Sequence, residues 1–420
     1  TGPIAGGSTM KRLLSSIVLT ALSLNAAAQD LLITNATLHT GENGEVIESA
    51  DILIKDGEIE KISARIRTNE SITVVDAAGR HVTPAFFAGA TVTGLSEVGA
   101  VRETVDSEYE DLFTDIMHPE FDIRPAYNPH TSVIPITRVE GFGYSLLTAT
   151  RGDRSISGQG GLVRFDGGYD SFEGKPVIFV EVSGHAAGKT GGSRAVHWML
   201  LKQAFGELQK GVELDLLSPI GRDQLRNATK SGVFVFNTNR ATDIMQVIKF
   251  AKTHNIEAVI HGGREAWLVA DALAQANVPV MLNALDNLPA DFDSLAARLD
   301  NAALLHKAGV TLMFTSGETH NARKVRQVAG SAVANGLPLE AAIAALTSVP
   351  AEVFGARPRA ARRGAIADLV IWSGDPVEVT TLAQLVIMGG KIDSMESRQT
   401  KLRDRYLPID PALPRAYLKP

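Results

Sequence analysis

Between Val233 and Phe314, four short apolar runs (VFVF, AVI, VPVML and VTLMF) recur every 20 to 30 residues, with helical patterns between them. Runs this short suit strands, and the spacing leaves room for one helix each time, which is the signature of strands lying parallel in one sheet. The first intervening segment makes the point. Ile244, Val247, Ile248 and Ala251 stand at i, i+3, i+4 and i+7, so one stripe can pack on a sheet while Lys249 and Lys252 face water. YSLLTA at 144–149 and VIFVEV at 177–182 extend the series towards the N-terminus. A parallel α/β sheet or barrel is therefore expected through the middle of the chain.

Both ends read differently. From Leu31 to Val82 the pattern is β-type: LLITNATLHT, then DILIKDGEIEKI with Asp56-Gly57 as a hairpin signal, then ITVVDAAGRHVTP. After a helical stretch from Leu337 to Leu346, β-type runs return as IADLVIW at 366–372 and LVIMGGKI at 385–392. The charged, Pro-rich tail beyond Asp393 is expected to wrap the surface. At the start, Thr1–Thr9 precede Met10 and read as a frame artefact. Lys11-Arg12, the apolar run Leu13–Leu24 and the small residues Ala26 and Ala28 read as a secretory signal peptide, residues 10–28, cleaved after Ala28. The apolar run is shorter than the ~20 residues a span needs, and no later segment qualifies. A periplasmic or secreted mature protein without a membrane span follows as the expectation.

Charge and composition remove several function classes. With 41 basic and 47 acidic side chains the net charge is −6, which offers no basic surface to nucleic acid. The chain has no cysteine, so disulfides, thiolate metal sites and cysteine nucleophiles are excluded. Any metal must be held by His, Asp, Glu or a modified Lys.

Six segments, in order, carry a family resemblance: DAAGRHVTPAFFAGATVTGL (76–95), SISGQGGLVRFDG (155–167), RATDIMQVIKFAKTHNIEAVIHGGREAW (240–267), LLHKAGVTLMFTSGE (304–318), LTSVPAEVFG (346–355) and GAIADLVIWSGDPVE (364–378). Together they resemble the amidohydrolase superfamily in its imidazolonepropionase-like, exported branch. The resemblance implies a (β/α)₈ TIM-like barrel over residues 84–355. It also implies a small β-sandwich side domain built from 29–83 and 356–395, and leaves 396–420 as a tail. Its implied chemistry is hydrolysis of amide or cyclic amide C–N bonds by one or two divalent metals, usually zinc, that acidify a bound water.

In that family the ligands are an H-x-H pair ending the first barrel strand, often a modified Lys, two later His residues and an Asp ending the last strand. Here the H-x-H slot falls on Ala90-Thr91-Val92, and neither Ala90 nor Val92 can bind a metal. A ligand-His slot falls on Asn237 or Asn239, and Ser316 occupies the Asp position, leaving no carboxylate to take a proton there. Only His261, ending EAVIH, stands where the family places a metal-binding His. The other reading of His261 is a relic imidazole hydrogen-bonded to a neighbour. Polar groups that could reach the same mouth are Glu97, His185, Arg240, Thr315, Glu318 and His320.

Three further patterns point to other chemistries. Ser183–Thr190 nearly matches a phosphate-binding loop but lacks its first glycine. SGQGG at 157–161 reads as an anion cradle or, more simply, a loop needing positive φ. Ser155, Ser157 or Ser316 could serve as a nucleophile only beside a His that sequence does not locate. The acidic stretch from Glu97 to Asp122, including Glu110, Asp111 and Asp115, falls in a long first βα loop and would favour a basic or peptide-like ligand. Arg151, Arg154, Arg240 and Arg264, just beyond strand ends, would favour an acidic one.

Two functional readings stand at this point. In the first, the chain is a degenerate member, a pseudoenzyme that acts as a ligand-binding or partner subunit beside an active paralogue. It would take a small-molecule or peptide-like ligand, form a homo- or hetero-oligomer and hold no cofactor. In the second, it is an active amide or dipeptide hydrolase with one divalent metal, such as zinc, in a rebuilt mononuclear site around His261.

Overall fold

The computed structural model describes residues 30–42, 44–68, 72–109, 117–149, 155–209 and 216–407. The expected leader, Glu110, Asp111, Asp115, Arg151, Arg154 and residues 408–420 lie outside that set. The described strands form two eight-stranded sheets. The first begins with β1 (Leu31–His39), β2 (Val46–Lys55), β3 (Glu58–Ser63), β4 (Thr73–Asp76) and β5 (His81–Pro84). The second comprises β6 (Phe86–Thr91), β7 (Phe142–Leu147), β8 (Ile156–Arg164), β9 (Phe172–Glu181), β10 (Val233–Thr238), β11 (Glu257–Gly262), β12 (Val280–Leu282) and β13 (Leu312–Phe314). The chain then returns to the first sheet with β14 (Leu369–Trp372), β15 (Ala383–Met388) and β16 (Lys391–Ile392).

The second sheet is a nearly closed barrel. β9 to β13 pair in parallel, as the recurring apolar runs predict. On β10, Phe234 meets Phe205 and Phe236 meets Phe250 of the surrounding helices, so the even positions face outwards. Val233, Val235 and Asn237 therefore face into the barrel. The helix Ala241–His254 buries Ile244, Val247 and Ala251 of the expected stripe. Between the last and first strands, Thr315 Oγ1 accepts the Ala90 N–H at 3.2 Å. That closure needs Gly89: its φ is +81°, and a Cβ there would stand 2.8 Å from Thr315 Cα.

A regular (β/α)₈ pattern fails at one strand. β8 runs antiparallel to both β7 and β9. Only residues 148–155 and 165–171 make these two connections, too few for the helical crossover that parallel strands require. SGQGG lies inside β8 and is not a loop; a Cβ on Gly160 would meet the Leu147 carbonyl oxygen at 2.1 Å, so close strand approach demands glycine there.

The side domain also differs from the expected sandwich. Its N- and C-terminal strands do join, but in a single hydrogen-bonded sheet, because β5 accepts β1 on one edge and β14 on the other. β2 and β3 turn at Asp56-Gly57 as the hairpin signal predicts. β5 runs through Ala85 straight into β6, so the sheet and the barrel share a continuous stretch of backbone. Within the expected tail, Arg398–Tyr406 is a helix capped by Ser397.

Candidate ligand site at the barrel mouth

Three polar side chains share one row at the C-terminal ends of the parallel strands. Glu181 of β9, Asn237 of β10 and His261 of β11 are in register, and all face inwards because Asn237 does. Asn237 Nδ2 donates to both Glu181 carboxylate oxygens, at 2.9 and 3.0 Å. In the same row stand Met281 and Met313, both buried, which give the remainder of this layer an apolar lining.

Among the described residues no hydrogen-bond partner meets the His261 ring, so the relic imidazole is not tied to a neighbour there. Desolvation pulls its pKa down to about 4, with the Asp286 carboxylate acting in the opposite sense. The ring is therefore neutral near pH 7, with one N–H to donate and one nitrogen to accept. Asp286 itself takes a hydrogen bond from Arg264 at 3.0 Å, so the acid that acts on His261 is already paired.

Glu181 escaped the sequence reading. Its only signal was a carboxylate closing an apolar strand run, VIFVEV. Its backbone is propped from outside the barrel: His197 Nε2 donates to the Glu181 carbonyl at 2.7 Å. His197 Nδ1 then faces Ser155 Oγ at 3.4 Å, which is the Ser–His pair the sequence could not locate. Ser155 and His197 are 0% and 1% exposed, so the pair braces the strand end and presents no nucleophile to solvent.

The remaining expected site residues are mostly engaged in structure. The Val92 N–H donates to Thr319 Oγ1 at 2.9 Å, so threonine hydroxyls meet the backbone at both ends of the H-x-H slot. Asn239 Oδ1 accepts the Arg264 N–H, and Ser316 Oγ accepts the Glu318 N–H. Lys324 holds Glu318 at 2.8 Å and keeps its carboxyl below the usual range. His320 Nε2 donates to the Glu97 carbonyl, tying the loop after β13 to the loop after β6. Arg240 precedes the helix Ala241–His254, its carbonyl accepting the Asp243 and Ile244 N–H groups and its side chain making no capping bond, and His185 is exposed on the short helix Gly184–Lys189. That helix also settles the near-match to a phosphate loop: Asp293 accepts the Gly184 N–H at 2.7 Å, placing an acid where a phosphate would sit.

A binuclear metal centre does not fit these donors. Ala90 and Val92 offer hydrocarbon, Asn237 turns its amide nitrogen to Glu181, and Ser316 has no carboxylate. Among the described residues no three His, Asp or Glu side chains are placed to hold a metal ion. What the row offers is a carboxylate, an amide and a neutral imidazole beside two buried methionines, a donor and acceptor set suited to a polar organic group.

No protein-family model and no curated protein matches this chain. Solved structures do. An amidohydrolase from Thermotoga maritima MSB8 superposes with a TM-score of 0.76 at 20% identity, covering 86% of this chain and 99% of that one. A beta-aspartyl dipeptidase from Fervidobacterium islandicum AW-1 gives 0.53 at 14% identity, over 87% and 96% of the two chains. Molinate hydrolase gives 0.52 at 15%, over 94% and 100%. At these identities the likeness is one of fold.

Proposed function

Because this chain has the amidohydrolase-superfamily fold while the donors at its mouth do not fit a binuclear centre, we propose that it is a degenerate, ligand-binding member. It would hold a small-molecule or peptide-like amide at the barrel mouth, alone or as partner to an active paralogue. The observation that carries this reading is the row Glu181–Asn237–His261, in which an amide and a lone neutral imidazole occupy strand ends where the resemblance calls for metal ligands. The ligand class follows from the chemistry: an amide offers both a donor and an acceptor to a site built of both.

Elemental analysis of the purified protein and of His261→Ala tests it. Trace metal in both, with no thermal stabilisation by added zinc, is the expected result, since a metal that binds only the native state must raise its stability. Glu181 lies one strand beyond Asn237 on the His261 row, and this favours the second reading, an amide or dipeptide hydrolase with a mononuclear site around His261. Near-stoichiometric metal that disappears in His261→Ala would establish that reading and end the first.

No helix among the described residues is long and apolar enough to cross a membrane. With the leader pattern at 10–28, export to the periplasm or medium completes the proposal. Expression in a Gram-negative host should yield a periplasmic chain whose N-terminal sequencing begins at Gln29; an uncleaved cytoplasmic product would overturn it.

A further inference from the structure

Residues 285–293 lie in the connection from β12 to the helix Asn301–Lys307, and they are held to the fold in an unusual way. None of them is buried, whereas Ala284 and Ser294 on either side are 6% and 0% exposed. Leu285, Leu288 and Phe292 all face solvent, so the apolar packing that fixes most of the chain contributes little here. The backbone hydrogen bonds of the segment are local: the Leu285 and Asp286 N–H groups donate to Asn283, and Asp291 and Ser294 bond each other. What ties it to the rest of the molecule, among the described residues, is its carboxylates.

Those carboxylates reach the loops on either side of the polar row. Asp286 pairs with Arg264 at 3.0 Å, and Asp291 stands 3.9 Å from the same guanidinium. Asp293 pairs with Arg194 and accepts the Gly184 N–H at 2.7 Å. Arg264 lies three residues beyond His261 of β11, and Gly184 three residues beyond Glu181 of β9. β10, whose Asn237 completes the row, is the strand between them. With neighbouring strands ~5 Å apart, the two attachment points are ~10 Å apart, and the segment crosses from one to the other over the end of β10.

The residues that follow are fastened differently. Trp267 Nε1 donates to the Ala296 carbonyl at 2.8 Å, Glu265 accepts the Ala296 N–H at 3.0 Å, and Asn301 Nδ2 donates to the Gly263 carbonyl at 2.9 Å. Glu265 and Asn301 are buried, so these bonds form a fixed base. The ionic attachments are weaker. Arg194 also serves Asp243, so two guanidiniums are shared among four carboxylates, and partly exposed ion pairs each contribute little. We propose that residues 285–293 are a lid over the row Glu181–Asn237–His261, hinged at Ala284 and Ser294 and latched by Arg264, Arg194 and the Gly184 N–H, which lifts to admit ligand. This role rests on the reading of the mouth as a ligand site.

Spin-label distance measurements on the full chain, with no ligand added, test the lid. The chain has no cysteine, so introduced thiols are labelled without background. One pair is Leu288→Cys on the lid with Lys249→Cys on the helix Ala241–His254, both exposed positions. With the latch intact this pair should give one dominant distance. Asp293→Ala removes both contacts at the β9 end and should add a longer distance, raising the open-to-closed ratio ~10-fold or more, as loss of charge-assisted hydrogen bonds does. Arg264→Gln, which frees Asp286 and Asp291, should act in the same direction. A reference pair, Lys249→Cys with Lys307→Cys, should keep one distance in every protein, which separates a lifted lid from a loosened fold. One unchanged lid distance in all three proteins overturns the lid, and so does a reference pair that broadens together with the lid pair. A segment found fixed in this way would leave the ligand-binding reading standing, whereas metal held by His261 would end that reading without altering these distances.

Discussion

Asp368→Asn is expected to lower stability by about 3–5 kcal/mol, the usual cost of removing one partner from a buried ion pair. Asp368 is 4% exposed in the first sheet's return segment, just before β14. Arg164 of β8 donates to it through two nitrogens at 2.9 and 2.6 Å, Arg359 donates at 2.6 Å, and the Gly389 N–H at 2.6 Å. Desolvation alone would raise its pKa, yet the two guanidiniums and the backbone donor hold it below the usual carboxylate range. An asparagine at this position would turn an N–H₂ towards arginine N–H groups and leave buried cations short of an acceptor. Arg359 keeps Glu173 at 2.8 Å, so the network is weakened rather than emptied. Because Arg164 and Glu173 belong to the barrel and Asp368 to the side sheet, the loss falls on the junction between them. Urea unfolding of wild type and variant side by side reads the effect, and a loss below about 1 kcal/mol would show that the network contributes little.

Asp368 illustrates what the sequence leaves hidden. In IADLVIW it is one polar residue before an apolar run, and its partners lie 204 and 9 residues away. The parallel strands were legible because period and spacing are local properties of the chain. β8 was not read as antiparallel, although the short connections on either side carry that information in their length. His261 was legible because it ends an apolar run followed by two glycines. Glu181 was not, because its meaning comes from register: only the pairing of β9 with β10 sets its carboxylate on the Asn237 amide. At Ala90, Val92 and Ser316 the sequence shows only which side chains stand at those positions. What meets Ala90 and Val92, two threonine hydroxyls on the backbone of β6 and the residue after it, depends on closure of the barrel and has no sequence signature.

Acid should destabilise this protein in a way that His261 largely sets. In the unfolded chain its imidazole titrates at the ordinary 6.5, whereas in the folded chain desolvation holds it at about 4. Between those values the unfolded state binds the proton and the folded state does not, so stability falls as pH drops. The contribution is intact above pH 6.5, declines through the interval, and is fully lost near pH 4. A separation of about 2.5 in pH corresponds to ~3 kcal/mol. Desolvation also lowers His81, His197 and His254, which act with the same sign, while the raised Asp243 carboxyl acts against them. All four are present in His261→Gln as well, so the difference between the two proteins isolates the one ring. Wild type and variant, compared by urea unfolding at pH 7.5 and at pH 4.5, should diverge: the variant should lose about 2–3 kcal/mol less across that interval. Equal losses would mean that His261 gains a partner for its proton on acidification, and that the mouth opens to admit it.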